Sequence, residues 1–174
     1  MFDVDGFIAE CLAANTESSP QLAIKEILQR AVARPDDLAS SLNAKPGVAV
    51  MYRDANLTIA SVVVPAGAPR SLPHDHRIWA LVGIYGGQED NHFFRRATSG
   101  LEESGGRSLK VSDTLAMGTE AIHAIENPLS GSSLAAIHVY GGDLIATERS
   151  MWTLPEYDEQ PYDDTKVLGA PIRS

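Results

Sequence analysis

The change of pattern at Pro46 most limits the folds open to this chain. After it, short apolar runs alternate with turns rich in Gly, Pro, Asp and Asn. The runs 48–53, 57–64, 76–85, 91–96, 107–111, 121–127 and 133–140 read as strands. Asp54-Ala55-Asn56, Pro65 to Pro69, Gly86-Gly87 and Gly105-Gly106 read as turns between them. Several short strands at regular spacing predict an all-β sandwich or barrel. Leu57 to Val64 is β-branched and apolar enough for a core strand.

Before Pro46 the period is helical. Residues 4–14 predict a short amphipathic helix. A second helix spans 19–33, with Ser19 as N-cap, Pro20 as first helical residue and Ile24, Ile27, Leu28, Ala31 and Val32 on one face. Pro35 closes it, and Asp36 to Leu42 reads as one more turn or two of helix. Residues 1–45 are thus expected to form a helical cap and 46–152 a barrel. Residues 153–174, with Pro155, Pro161 and Pro171, are expected to form an irregular tail laid over the barrel, all within one domain.

Composition excludes several functions. With 14 Lys and Arg against 23 Asp and Glu, the net charge is −9, and no basic cluster offers a phosphate-binding surface, so no nucleic-acid partner is expected. The only cysteine, Cys11, rules out a disulfide framework or a thiolate metal site and reads as a small buried residue. A chain of 174 residues can bury a core without such staples. No apolar run approaches the roughly 18 residues of a membrane span. No basic stretch followed by an apolar one opens the chain, so the expected location is cytoplasmic, with no membrane partner.

Among the five histidines, two stand in His74-Asp75-His76. Side chains alternate faces along a strand, so His74 and His76 point the same way and make half of a metal site. Asp75 between them faces away. His123, which ends a turn and opens a strand, is the candidate third ligand. His92 reads as a partly exposed strand histidine, Glu126 and Arg77 as a structural polar network, and Trp79 as packing outward on a neighbouring layer.

The His74-X-His76 strand followed by His123 resembles the cupin metal site, which implies a small double-stranded β-helix of the jelly-roll type. The glutamate that usually follows the second cupin histidine is missing, since its place falls at Ala80 or Leu81. The pattern is similar to three-histidine cupins of the cysteine dioxygenase type. His74-Asp75-His76 runs on to a glycine turn at Gly86, and His123, Glu126, Asn127, His138 and Tyr140 follow in that family's order and spacing. Tyr52-Arg53 stands where the family has its upstream arginine. The likeness runs from about residue 48 to about residue 145 and is strongest to a bacterial branch of predicted metal-dependent cupins that reads His-Asp-His-Arg-hydrophobic-Trp.

The resemblance implies Fe(II) on His74, His76 and His123, with Ni or Zn able to occupy the same imidazoles on purification. It implies O2-dependent oxidation of a small thiol to a sulfinate. Arg53 would bind a substrate carboxylate, and Tyr140 would hydrogen-bond bound oxygen or that carboxylate, oriented by His138. Ala80 takes the position of the cysteine that animal cysteine dioxygenases cross-link to the tyrosine, so no cross-link forms and the pocket gains room. Two alternatives remain: cleavage of a diketone-like substrate at the same metal, or a cupin that binds a small ligand without turnover. Such a barrel can also pair as a homodimer.

Overall fold

Three helices open the chain, each at its sequence signals. The computed structural model describes residues 1–98, 100–169 and 171–173. Helix α1 (Val4–Ala14) starts where the Asp3 side chain accepts the Gly6 amide hydrogen at 2.9 Å. Helices α2 (Pro20–Val32) and α3 (Pro35–Leu42) each carry a proline in the first turn, where its missing N–H costs nothing. Asn43 closes α3 in the left-handed region, at φ 40°.

Eleven strands follow among the described residues: β1 (Gly47–Arg53), β2 (Thr58–Val64), β3 (His74–Asp75), β4 (Ala80–Gly86), β5 (Gln88–Ala97), β6 (Gly100–Lys110), β7 (Thr114–Met117), β8 (Ile122–Glu126), β9 (Leu134–Tyr140), β10 (Ser150–Thr153) and β11 (Asp158–Pro161). A short helix, α4 (Asp164–Leu168), comes last. The strands form two sheets, ordered β1-β2-β9-β4-β7 and β11-β10-β3-β8-β5-β6. β5 pairs with β6, β4 with β7, β3 with β8 and β2 with β9, all antiparallel. The chain therefore doubles back at the β5–β6 hairpin and its two arms wind together. From β2 to β10, every connection except that hairpin crosses between the sheets. This winding is the double-stranded β-helix of the cupin type, all-β behind a short helical cap.

The first sheet is buried on both faces, which is why Ala80 to Tyr85 reads as a continuous apolar run rather than an alternation. Its inner face contributes Ala80, Val82, Ile84, Ala136 and Tyr140 to the barrel interior. Its outer face places Ile59, Leu81, Ile137 and Val139 against Ile24, Leu28, Ala31 and Val32 of the cap. Gly83 permits this approach: a Cβ there would lie 2.8 Å from Leu28 and Val32. Cys11 is fully buried in the same layer, where burial pushes its thiol up to about 12.

The structure departs from the sequence reading in three places. Of the expected strand 76–85, residues 76–79 are not strand, and the His74–Asp75 pair before them belongs to the other sheet. β3 ends at Asp75, the chain bends through residues 77–79 with Arg77 at φ 61°, and β4 begins at Ala80. Strict alternation therefore does not carry from His76 to Ala80. The short β7 was not visible in the pattern at all. The stretch after Thr153 is not irregular either: β11 extends the second sheet through β10, and α4 follows it. Among the described residues β11 is an edge strand paired only with the neighbouring β10, and Pro161 ends it, a place where a missing N–H is tolerated. Further on, the Arg173 carbonyl accepts from the Val50 amide at 2.7 Å, and the Arg173 amide donates to Val48 at 2.9 Å, so the terminus runs along the free edge of β1.

Candidate metal centre

His74 and His123 are directly paired across β3 and β8, and His76 lies two residues further along the first segment. One ligand nitrogen from each of His74, His76 and His123 lies within 4.8 Å of the others, and all three residues are buried. The His74 Nδ1–H donates to the Leu72 carbonyl at 2.9 Å, which leaves Nε2 as the bare nitrogen. The His123 Nδ1–H donates to Asn91 Oδ1 at 2.8 Å, and its buried Nε2 has no hydrogen-bond partner among the described residues. Such outer contacts fix ring orientation and tautomer in metal-binding histidines.

Electrostatics agree with the geometry. Burial pushes His74 down to about 4, and burial with mutual repulsion holds His76 and His123 well below the usual imidazole range. At neutral pH the three rings are uncharged and present lone pairs, which is the donor set a divalent transition metal takes. The site can hold such an ion, and this donor set alone does not select which one.

Tyr140 is buried beside the triad, its ring centroid 5.0 Å from that of His76. Its hydroxyl lies 2.9 Å from His138 Nδ1, and burial holds the phenol protonated by raising it from its ordinary range. The triad, His138 and Tyr140 line a cavity of about 30 Å³, room for about one water. Val62 and Ile125 form part of its wall, and Tyr162, Leu168 and Ile172 of the C-terminal segment close it. Arg149 also lines this cavity, its guanidinium stacked 3.4 Å above the Tyr162 ring. Arg149 and Tyr162 also line an open groove of about 990 Å³ on the outer side, so they stand between site and solvent.

Two sequence expectations need correction. Arg53 does not line the histidine cavity. It ends the edge strand β1, and its Nε and Nη2 donate to the two Asp143 carboxylate oxygens at 2.7 and 3.0 Å. With 40 % of its side chain exposed and one edge of its guanidinium engaged bidentately by Asp143, it is a rim ion pair. Ala80 is opposite Tyr140 in the β4–β9 register and packs in the barrel interior, yet it is not part of the cavity wall.

The remaining residues fall outside the site. Asp75 faces away, pairs with Arg77 at 2.6 Å and accepts the Ser150 amide. His92, partly exposed, lies between Glu103 and Glu126 at 3.1 and 3.2 Å. Trp79 packs against the cap layer.

Four residues of the site escaped the sequence reading. Arg149 and Tyr162 come from the region taken as barrel end and tail, with no motif to mark them. Glu89 and Asn91 carried a weak signal: they share strand parity with Phe93, so two polar side chains in β5 point inward. Among the described residues no hydrogen bond reaches Glu89 Oε2, although the residue is fully buried, and its Oε1 accepts from Asn91 Nδ2 at 2.8 Å.

No protein-family model matches the chain. Among solved structures it is similar to the DMSP lyase DddQ from Ruegeria pomeroyi, at 19% identity and a TM-score of 0.45, over 62% of this chain and 47% of that one. The chain thus spans about half the length of that lyase. It is also similar to an RmlC-like cupin with a double-stranded β-helix fold from Methanocaldococcus jannaschii (14% identity, TM-score 0.47, 58% of this chain and 84% of that one). A third likeness is to an uncharacterised protein with a double-stranded β-helix domain from Klebsiella pneumoniae (13% identity, TM-score 0.49, 63% and 85%). No described helix is long and apolar enough to cross a membrane.

Proposed function

We propose that the protein is an Fe(II)-dependent dioxygenase that converts a small anionic thiol to its sulfinate. One observation carries the reading: three buried, neutral imidazoles converge on a cavity that also presents a protonated tyrosine and an arginine. A triad without a carboxylate leaves a divalent ion's charge uncompensated, so an anionic substrate group is needed to balance it, and a thiolate meets that need. His74, His76 and His123 would hold Fe(II), which would supply the redox chemistry that O2 needs to react with a thiolate. The conversion RSH + O2 → RSO2⁻ + H⁺ places both oxygen atoms on sulfur and needs no external electrons. No Gly-X-Gly-X-X-Gly fingerprint follows a strand, in keeping with this.

The chain's own residues bind and orient. Arg149, rather than Arg53, holds the substrate carboxylate, since its guanidinium faces the cavity and is pinned over Tyr162 with Nε donating to the Leu144 carbonyl at 3.3 Å. Tyr140 keeps its proton and shares it with His138, so its hydroxyl is a fixed hydrogen-bonding group at the reacting end. Tyr162 and Leu168 limit the size of what enters and exclude bulk water.

The test is anaerobic Fe(II) loading followed by O2 uptake with cysteine, cysteamine and 3-mercaptopropionate, with sulfinate identified by mass spectrometry. Arg149→Ala should raise KM for the carboxylate-bearing thiols by about 2 kcal/mol, roughly 30-fold, and leave cysteamine nearly unaffected. If the iron-loaded protein consumes no O2 with any thiol, the reading falls. Diketone cleavage or ligand binding without turnover then takes its place.

A further inference from the structure

The barrel interior holds a carboxylate one layer behind the histidines. Glu89 is fully buried at the inward-facing start of β5. Its two oxygens serve two different arms. Oε1 accepts from Asn91 Nδ2 at 2.8 Å, and Asn91 Oδ1 accepts from His123 Nδ1–H at 2.8 Å. Oε2 faces His138 Nε2 at 3.6 Å, and His138 Nδ1 lies 2.9 Å from the Tyr140 hydroxyl. Glu89 Oε2 and His138 Nε2 are both buried and without hydrogen-bond partners among the described residues, and they face each other. Closing the gap by about half an ångström makes an ordinary N–H···O bond.

We infer that Glu89 is a positioning residue that sets the proton arrangement on both sides of the candidate metal centre. The inference rests on the proposed reading only for its catalytic consequence. An ionised carboxylate only accepts hydrogen bonds. Accepting from Asn91 Nδ2, it turns the Asn91 oxygen toward His123, which keeps the proton on His123 Nδ1 and leaves Nε2 bare. Accepting from His138, it keeps that proton on Nε2, so His138 Nδ1 is the acceptor and Tyr140 O–H is the donor. One side chain thereby bares the third ligand nitrogen and points the tyrosine proton away from the cavity.

The substitution Glu89→Gln separates the arms. A carboxamide has one accepting and one donating end. Its oxygen still accepts from Asn91, so the His123 arm survives. Its NH2 then meets His138 Nε2, which must become the bare nitrogen. The His138 proton moves to Nδ1 and donates to the Tyr140 oxygen, freeing the tyrosine proton to turn into the cavity.

The experiment is NMR of metal-free protein labelled with 15N-histidine, with resonances assigned by single histidine substitutions. Wild type should show His123 in the Nδ1–H form and His138 in the Nε2–H form, and Glu89→Gln should convert His138 alone. Metal affinity, measured by competition with a chromophoric chelator, should fall about 10–100-fold in Glu89→Ala and less than about 10-fold in Glu89→Gln. Where the wild type oxidises a thiol, kcat should fall on the order of 100-fold in Glu89→Gln with KM little changed. His138 in the Nδ1–H form in wild type, or unchanged in Glu89→Gln, overturns the inference. The wild-type spectrum decides this even if Glu89→Ala fails to fold. If the tautomers behave as stated and no thiol is oxidised, the Glu89 assignment stands and the dioxygenase reading falls.

Discussion

Acid should unfold the metal-free protein through its own triad. In the unfolded chain each histidine titrates near its ordinary value of about 6.5. In the fold His74 is pushed down to about 4, and His76 and His123 are held well below 6.5, chiefly by burial. Below about pH 6.5 the unfolded state therefore binds protons that the folded state refuses, so stability rises with pH and is lost as pH falls. For His74 the loss develops between about 6.5 and about 4; for the other two it also sets in as pH falls below about 6.5. At pH 5 His74 alone costs about 2 kcal/mol by this linkage, and His76 and His123 add to the cost in the same direction, against a total stability of about 5–15 kcal/mol for many small domains. The assay is urea unfolding with a chelator present, at pH 7, 6 and 5, for wild type and for His76→Gln. His76 is the choice because no hydrogen bond of its ring is seen among the described residues, so the neutral substitute breaks none. The variant should lose clearly less stability than wild type between pH 7 and pH 5. Carboxylates that titrate in the same range cancel in that difference. Equal losses in the two proteins would refute the buried, neutral triad.

Other perturbations test the site and its frame. His123→Ala should remove most of the bound metal while the circular dichroism spectrum persists; full stoichiometric metal, by elemental analysis, would falsify the triad. Gly141→Ala places a Cβ inside the Trp79 indole, so the bend that carries the chain between β3 and β4 must shift. A stability loss of about 1–3 kcal/mol or more follows, read by thermal unfolding, and an unchanged melting point would contradict the packing. Arg53→Ala removes only a rim ion pair with Asp143. It should leave the melting temperature and the KM for carboxylate-bearing thiols nearly unchanged, in contrast to Arg149→Ala, and a large KM effect would return Arg53 to the pocket.

Much of the scaffold was legible in the residues alone because its signals are local. The helices α1 to α3 lie where the apolar period, Ser19, Pro20 and Pro35 indicate. β1, β2, β8 and β9 lie where branched apolar runs meet turn residues, because strand propensity and turn chemistry act over a few residues. The spacing of His74 and His76 needs only a pleat to bring both rings to one face, and His123 stands out as the histidine that opens a later strand. The rest depends on which distant segments pair. Glu89 becomes a buried hub only when β5 lies beside β8 and His138 comes across from the other sheet. Arg149 and Tyr162 reach the cavity only because β10 docks on β3 and returns the chain to the barrel mouth. Arg53, one residue from the expected tyrosine landmark, is claimed by Asp143, 90 positions away in sequence. Periodicity shows which face of a strand a side chain occupies. What that face meets is settled by long-range pairing and by the competition of neighbours for each charged group, neither of which leaves a local trace.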